Sequence, residues 1–259
     1  MADDLALALE LAEVADEITL GRFRAGDLVV DTKPDMTPVT EADRAVEERL
    51  RARLSSERPD DAVIGEEFGG GGGDGSGRRW IIDPIDGTKG YVRGMPIWAT
   101  LIALELEGEA SVGVVSAPAL GRRWWSSRGT GAWLDDGLAG APRRLRVSGV
   151  SSLSDAQLCY GGLDDWERLD DLLELGRRCW RTRGVGDVWS YMLVAEGAAE
   201  IGVDPVVALW DLAAARAIVQ EAGGRFTDLT GAPSADGGSG LATNGLVHEA
   251  VLEIIGLPR

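Results

Sequence analysis

The stretch from Trp80 to Lys89 reads WIIDPIDGTK, an apolar run that leads directly into two carboxylates and a Gly-Thr pair. The pattern predicts a buried strand that ends at Asp83, a turn through Pro84 and a helix that opens at the Gly-Thr pair. Such closely spaced carboxylates can converge on one ion, and the Ile85 carbonyl can join them. Oxygen ligands of this kind suit Mg²⁺ rather than zinc. Free N–H groups at a helix start can bind phosphate, so the stretch predicts a metal site beside an anion site.

Three further segments place carboxylates where a strand ends or a helix begins. Glu66 follows the apolar run 62–64, and acids at a partly buried strand end are poorly suited to a solvated face. Asp211 and Asp43 each lie near the start of a predicted helix, where Asp is a common N-cap. Each segment alone therefore also fits a structural role, and residues 80–89 alone fit a plain Asp-Pro turn. Their combination is what indicates a metal centre.

In order and spacing these motifs resemble the inositol monophosphatase-like family of Mg²⁺-dependent, lithium-sensitive phosphatases. The family pattern W-I-x-D-P-x-D-G-T is met at 80–88, G-E-E at 65–67, and W-D-x-A followed by E-A-G-G at 210–224. The resemblance covers nearly the whole chain, from about Leu5 to a C-terminal helix. It implies an α/β protein of the inositol monophosphatase and fructose-1,6-bisphosphatase type, an α-β-α-β-α layered sandwich.

The resemblance also implies a division of the chain and a set of site residues. Residues 1–140 would form an α+β half with most metal ligands, and 141–259 an α/β half with the substrate-recognition segment and the last ligand. Thr88, Asp43 and Glu66 are the implied catalytic residues, the first two orienting and activating a water, and Lys33 belongs to a mobile loop that completes the site. The implied ligands of two or three Mg²⁺ ions are Glu66, Asp83, the Ile85 carbonyl, Asp86 and Asp211. The implied substrate contacts are Glu66, Ile85, Asp86, Gly87, Thr88, Arg183, Gly186, Asp187, Asp204 and Asp211.

Asp187 and Asp204 indicate which alcohol the substrate carries. In inositol phosphatases the position of Asp187 is usually small or hydroxylic, and two acids around the alcohol suit a cation better than a neutral polyol. The segments 31–40, 116–125 and 183–187 resemble the histidinol-phosphate phosphatase branch, whose substrate carries an ammonium and an imidazole. The structural alternatives are an N-cap role for Asp187 and a turn role for Asp204.

The resemblance therefore implies a Mg²⁺-dependent phosphomonoesterase that acts on histidinol phosphate in histidine biosynthesis, with Li⁺ as an inhibitor and a homodimer as the assembly. An inositol-1-phosphate phosphatase or a broader phosphatase of the same family is the alternative. An aspartyl-phosphate phosphatase would also use a pair of acids, but the G-E-E and W-D-x-A elements count against it. A non-catalytic relative would usually have lost a ligand, and none is lost.

Composition excludes several other classes of protein. The chain has 259 residues, 44% of them hydrophobic and 27% charged, as expected for a soluble globular protein. A net charge of −17 counts against nucleic acid as a partner. No apolar run approaches the ~20 residues that a membrane span needs. The acidic N-terminus is unlike a signal peptide and there are only two cysteines, Cys159 and Cys179, so we expect a cytoplasmic protein with buried thiols.

The remaining sequence predicts a change of pattern near Leu145. His248 is the single histidine, which excludes His-rich zinc sites and points to a packing or surface role. The Gly-rich segment 69–77 contains G-x-G-x-x-G but precedes a strand, so it is predicted to be a flexible loop rather than a dinucleotide site. The predicted helices and strands are helices from 5 and from 43, an antiparallel meander at 97–105, 111–117, 122–127 and 132–134, and alternating elements at 157–160, 166–175, 180–182, 187–195, 211–222 and 225–228.

Overall fold

The computed structural model describes residues 2–73, 77–138 and 140–256. Within these ranges the helices are α1 (Ala2–Arg22), α2 (Glu41–Glu57), α3 (Thr88–Val92), α4 (Leu169–Arg178), α5 (Trp189–Ala195), α6 (Leu209–Glu221) and α7 (His248–Ile255). The strands are β1 (Val30–Thr32), β2 (Pro38–Thr40), β3 (Ala62–Gly65), β4 (Gly69–Gly71), β5 (Arg78–Asp86), β6 (Ala99–Leu106), β7 (Glu109–Ala117), β8 (Arg122–Ser127), β9 (Gly131–Asp135), β10 (Arg143–Arg144), β11 (Gln157–Tyr160), β12 (Arg181–Gly184), β13 (Ile201–Asp204), β14 (Arg225–Thr227) and β15 (Gly240–Thr243).

Two large sheets carry the fold, and β1 and β2 form a separate hairpin. The first sheet has the strand order β10-β9-β8-β7-β6-β5-β3-β4 and is antiparallel except where β3 pairs with β5. The second has the order β12-β11-β13-β15-β14, in which β11 runs parallel to both of its neighbours. The predicted meander is therefore present as β6 to β9.

The helices separate and cover these sheets, which gives the predicted α-β-α-β-α sandwich. Trp80 and Ile82 of β5 face α1 and α2, whereas Ile81 faces α5 and α6 on the opposite side of the sheet. A strand buried on both faces reads as a continuous apolar run, and this explains the sequence of β5. Helices α4 and α7 cover the outer face of the second sheet, where Leu175 and Val251 pack against its strands.

Helix α6 lies unusually close to the first sheet, and this closeness positions its N-terminus. Four alanines line its buried side, at positions 213, 214, 215 and 217. A β-carbon at Gly113 in β7 would lie 2.6 Å from the Ala214 carbonyl oxygen, so only glycine fits at that crossing. The start of α6, which carries Asp211, is thereby held against the sheet that carries Asp83.

The prediction that the strand leading into Pro84 ends at Asp83 is wrong. Strand β5 continues to Asp86, with Asp83 opposite Leu101 and Asp86 opposite Ala99. Three steps along β5 thus match two along β6, which is the signature of a β-bulge. Proline has no N–H to donate, and the bulge lets the strand pass Pro84, whose carbonyl accepts the Thr100 hydroxyl at 2.7 Å.

Several predicted boundaries also differ from the structure. Residues 69–71 of the predicted Gly-rich loop form β4, paired with β3, while Gly75 of its G-x-G-x-x-G motif lies outside the described residues. The short strands β1, β2, β10, β13 and β15 were not predicted, because strands of two to four residues show little periodicity of their own and depend on their neighbours for stability. Helix α2 starts at Glu41 rather than Asp43, and α4 starts at Leu169 rather than Trp166.

The two sheets come from successive parts of the chain, and one hydrophobic core joins them. That core contains Leu101 and Val115 from the first sheet together with Ala242 and Phe226 from the second. The division of the chain at residue 140 stays a prediction.

Three expectations drawn from composition concern the cysteines, the histidine and membrane-spanning helices. Cys159 is buried, whereas Cys179 is only partly buried, and neither is in a disulfide. His248 is fully buried, so its role is packing rather than surface exposure. None of the described helices combines the length and the apolar composition that a bilayer crossing requires.

Candidate active site

The bulge in β5 brings two carboxylates to the same place. Side chains three positions apart on a regular strand point to opposite faces, and one extra residue restores the same side. Oxygen atoms of Asp83, Asp86 and Asp211 consequently lie within 4.8 Å of one another. This carboxylate cluster joins the end of β5 in the first sheet to the start of α6.

Two members of the cluster are held by backbone N–H groups, and one is not. Asp86 Oδ2 accepts the Val188 N–H at 2.8 Å, and Asp211 Oδ2 accepts the Ala208 N–H at 2.7 Å. Asp211 is the third residue of α6 and caps the helix with this oxygen. Its other oxygen is left for a metal, so the structural role and the predicted ligand role are compatible. The Oδ1 atom of Asp83 is buried and has no hydrogen-bond partner within the described chain.

The electrostatics of the cluster fit a divalent cation. Burial, followed by the charges of Glu66, Asp86 and Asp211, raises the pKa of Asp83 well above its ordinary value. Burial also raises the pKa values of Asp86 and Asp211, while the Val188 and Ala208 N–H groups partly oppose this. Several buried acids with an orphaned oxygen are unfavourable as they stand. A hard cation would neutralise them and occupy the free oxygen sites, so these residues fit a divalent metal.

Thr88 and Asp43 are in contact, as the resemblance implied. Thr88 Oγ1 lies 3.1 Å from Asp43 Oδ1 and 2.8 Å from the Ile85 carbonyl oxygen. Asp43 Oδ2 accepts both the N–H and the hydroxyl of Thr40, at 2.8 and 2.5 Å. Asp43 thus completes the capping box of α2 with one oxygen and faces Thr88 with the other.

A backbone anion site adjoins this pair. Gly87 has φ +84°, and a β-carbon there would lie 3.0 Å from Asp187 Oδ2 and 3.2 Å from the Ile97 carbonyl oxygen. The N–H groups of Gly87 and Thr88 make no hydrogen bond to any other part of the described chain. They border the same cavity as the carboxylate cluster, where an anion can accept from them.

Glu66 reaches this cavity, but its carboxylate is already paired. Lys33 Nζ, in the turn between β1 and β2, lies 2.6 Å from Glu66 Oε1 and 2.7 Å from Glu67 Oε1. Although burial opposes it, these two acids raise the pKa of Lys33 above its ordinary value. Lys33 therefore contacts a predicted metal ligand, while Glu67 is a partner that the sequence did not indicate.

The cavity has a volume of about 840 Å³ and extends away from the cluster towards Asp187, Asp204 and Gly186. Burial raises the pKa of Asp204 to about 7, although the Tyr191 hydroxyl and the Gly161 N–H oppose this rise. Asp187 has φ +49° and is exposed at the cavity wall, and Lys89 opposes the rise that partial desolvation causes in its pKa.

The structural alternatives for these two acids do not hold in their simple form. Helix α5 begins at Trp189, its N-cap residue is Val188, and no side-chain hydrogen bond caps it, so Asp187 is not the N-cap. Asp204 is the last residue of β13 rather than part of an exposed turn, and it is 7% exposed.

Most predicted site residues line this cavity. Asp43 and Lys33 lie behind the lining, against Thr88 and Glu66, whereas Arg183 lies away from it. Arg183 lies on the edge strand β12, is exposed, and donates to the Thr182 carbonyl at 2.8 Å, away from the cavity lining. Its substrate contact stays a prediction without geometric support. The lining residues that sequence reasoning missed include Lys89, Asp165, Tyr191 and Trp210. Lys89 could have been found from the sequence, because the chain has only two lysines and both lie at this site.

The layered fold, the buried carboxylate cluster and the adjoining anion site together define a metal-dependent phosphatase. The chain belongs to the inositol monophosphatase family, whose model matches residues 1–255. This family is metal-dependent and acts on phosphate esters. The fold class and the family inferred from the sequence motifs are thereby confirmed.

Individual relatives narrow the comparison. The chain is 55% identical over 254 residues to the histidinol-phosphatase of Mycobacterium tuberculosis, with 96% of each chain covered. It is 54% identical over 257 residues to the histidinol-phosphatase of Streptomyces coelicolor, again with 96% of each chain covered. Among solved structures it is similar to an IMPase from Thermotoga maritima, with a TM-score of 0.84, 29% identity and coverage of 98% of this chain and 96% of the other.

Proposed function

We propose that this protein is a Mg²⁺-dependent phosphomonoesterase that hydrolyses histidinol phosphate to histidinol and phosphate in histidine biosynthesis. The observation that carries the proposal is Asp204, a carboxylate buried in the cavity that also holds the carboxylate cluster. A buried carboxylate is unfavourable unless it meets cationic or hydrogen-bond-donating groups, and a substrate ammonium would supply one. The names of the 54–55% identical relatives support the same substrate.

The metal would be held by Asp83, Asp86 and Asp211, with Glu66 and the Ile85 carbonyl completing the donor set. Two or three Mg²⁺ ions supply charge neutralisation of the phosphate, activation of water and stabilisation of the leaving alkoxide. For Glu66 to serve as a ligand, it must share its carboxylate with Lys33 or release it. Li⁺ is expected to inhibit.

Thr88 and Asp43 would position the attacking water and receive its proton. The Thr88 hydroxyl has one proton, which it can donate to Asp43 Oδ1 while its own oxygen accepts from a water. Because Thr40 already donates to Asp43 Oδ2, the carboxylate cannot rotate away from Thr88. A proton can therefore pass from the water to Thr88 while the Thr88 proton passes to Asp43, without a covalent phosphoenzyme.

The ester would be oriented by groups on both sides of the phosphate. The N–H groups of Gly87 and Thr88 face the phosphate oxygens, and Lys89 adds positive charge nearby. The amino alcohol would extend towards Asp187 and Asp204. Because Lys89 partly neutralises Asp187, Asp204 is the stronger candidate for the substrate ammonium.

A phosphate-release assay with Mg²⁺ tests this function directly. We expect kcat/KM for histidinol phosphate to exceed that for inositol 1-phosphate, fructose 1,6-bisphosphate and 3′-phosphoadenosine 5′-phosphate. Asp204→Asn should lower kcat/KM about 10-fold or more for histidinol phosphate and less for inositol 1-phosphate, since a charge-assisted hydrogen bond contributes ~1.5–3 kcal/mol. A preference of the wild type for inositol 1-phosphate would instead support the alternative substrate.

The same proposal includes a homodimer in the cytoplasm as the working form. Light scattering after size-exclusion chromatography would test the assembly, and a mass of one chain at micromolar concentration would contradict it.

A further inference from the structure

One more carboxylate, that of Asp165, borders the outer part of the same cavity. It lies in the connection between β11 and α4, is exposed, and has no lysine or arginine within ion-pair distance among the described residues. Its neighbour Asp164 is equally exposed but does not line the cavity. One of two adjacent acids is thus directed at the site and the other is not.

Two adjacent glycines make room for Asp165 and Asp204. A β-carbon at Gly161 would lie 2.1 Å from Asp204 Oδ1, and one at Gly162 would lie 3.1 Å from Asp165 Oδ2. Both carboxylates therefore approach the same Gly-Gly backbone, one from the buried interior and one from the rim. Side chains at either glycine would push them out of place.

Two further residues define this end of the cavity. Asp204 and Tyr191 both line it and are buried, and the Tyr191 hydroxyl faces the Asp204 carboxylate. Tyr191 is 1% exposed and Asp204 is 7% exposed. The lining also includes the apolar side chains of Val206 and Trp210, which suit a flat ring.

We infer that Asp165 is a specificity-determining residue that accepts a hydrogen bond from the ring N–H of the leaving alcohol, while Asp204 pairs with its ammonium. This inference rests on the proposed function. In histidinol phosphate the ammonium is two carbons from the ester oxygen and the imidazole lies farther out. The inner carboxylate, Asp204, therefore matches the ammonium, and Asp165 at the rim matches the ring.

A pair of substrates separates the ring from the ammonium. Phenylalaninol phosphate keeps the amino alcohol of histidinol phosphate but replaces the imidazole by a ring without N–H groups. We expect Asp165→Ala to lower kcat/KM about fivefold more for histidinol phosphate than for phenylalaninol phosphate, mainly through KM. Asp165→Asn keeps an acceptor and should recover part of the loss. Asp164→Ala is the matched control and should leave the ratio of the two substrates at the wild-type value.

The outcomes distinguish this inference from the function on which it rests. If the wild type fails to prefer histidinol phosphate over inositol 1-phosphate, the proposed function fails and the role of Asp165 fails with it. If the wild type shows that preference but Asp165→Ala and Asp164→Ala have the same substrate ratio, only the role of Asp165 is overturned. A selective loss in Asp165→Ala, partly recovered in Asp165→Asn, supports it.

Discussion

At the scale of single residues, several side chains combine a structural role with a proposed chemical one. Asp43 and Asp211 each cap a helix with one oxygen and turn the other towards the site. A carboxylate with one oxygen tied to a backbone N–H has few rotamers left, so its free oxygen is fixed in direction. Each of these residues can therefore serve as a helix cap and as a proposed site residue at the same time.

Removal of the Thr88 hydroxyl should have a specific kinetic effect. Thr88→Ala should lower kcat by about 100-fold with little change in KM, because the hydroxyl acts on the water and not on the bound ester. Steady-state phosphate release measures both constants. Thr100→Val is the matched control, since Thr100 also donates its hydroxyl to a carbonyl of β5 but lies outside the cavity. A large rise in KM at constant kcat would assign Thr88 to ester binding alone.

Lys33 should compete with the metal for Glu66. Lys33→Met leaves two adjacent carboxylates without their ammonium, so the metal-free variant should melt about 3 °C lower, a loss of roughly 1 kcal/mol. The same change should lower the Mg²⁺ concentration that gives half of the thermal stabilisation, because Glu66 no longer has to leave a partner. Differential scanning calorimetry with and without Mg²⁺ measures both effects.

Lys89→Met is the control for this experiment. Lys89 is the only other lysine and makes no ion pair with Glu66 or Glu67 in the described chain. If both variants respond to Mg²⁺ identically, Lys33 does not act through Glu66.

At the scale of secondary-structure elements, short strands and helices are held in place by a few polar contacts. Helix α7 joins the second sheet through His248, whose ring nitrogens lie 3.0 Å from the Thr227 hydroxyl in β14 and 2.9 Å from the Thr243 hydroxyl in β15. Burial, followed by the charge of Arg225, lowers the pKa of His248 to about 4. The neutral ring is therefore part of the folded structure.

Acid should weaken this attachment in a defined pH range. Because the folded state disfavours the protonated ring, the unfolded state binds more protons between pH 6.5 and about 4, and stability is lost as the pH falls through that window. The loss attributable to His248 should approach about 3 kcal/mol at pH 4. Urea unfolding of the wild type and of His248→Gln across this pH range isolates the contribution of His248 to the free energy of unfolding, since the two proteins have all other titratable groups in common. Parallel pH profiles for the two proteins would contradict the assignment.

At the scale of the whole molecule, the candidate active site lies where parts of the two sheets meet. Asp83 and Asp86 come from the first sheet, Asp204 comes from the second, and Asp211 comes from the helix packed between them. The net charge of −17 would repel a phosphate ester, so the site depends on cations to bind one. Folding without metal brings several carboxylates together at an electrostatic cost.

Removal of metal should therefore abolish activity and reduce stability in a pH-dependent way. EDTA should stop phosphate release, and Mg²⁺ should restore it. Because folding raises the pKa values of Asp83, Asp86 and Asp211, the metal-free folded state binds extra protons, and its stability falls as the pH rises above about 4 and these acids ionise. The increase in Tm that Mg²⁺ produces should accordingly grow between pH 5 and 8. Asp86→Asn should flatten this trend, and a pH-independent increment in the wild type would contradict the cluster as the metal site.

The sequence by itself determined the carboxylate motifs, because each motif is a short run whose chemistry can be recognised locally. Through these motifs it also gave the resemblance that implied the family and the layered fold. An apolar run followed by Asp-Pro-Ile-Asp-Gly-Thr specifies a buried strand and its polar end without reference to distant residues. The direction in which each carboxylate points could not be predicted from these local motifs. A bulge opposite β6, and not a turn at Pro84, places Asp83 and Asp86 on one side.

Only the tertiary structure decided which groups face one another across the cavity. The pairing of Lys33 with Glu66 joins residues 33 positions apart in the chain, and the Tyr191 hydroxyl faces Asp204 from another element. Asp165 and Asp164 differ by one position in a loop, and Asp165 alone of the two lines the cavity. Periodicity and local motifs carry no information on such contacts, because the distances are set by the packing of elements that are far apart in the chain. The same reason explains Arg183, whose motif predicted a substrate contact that the edge position of β12 directs elsewhere.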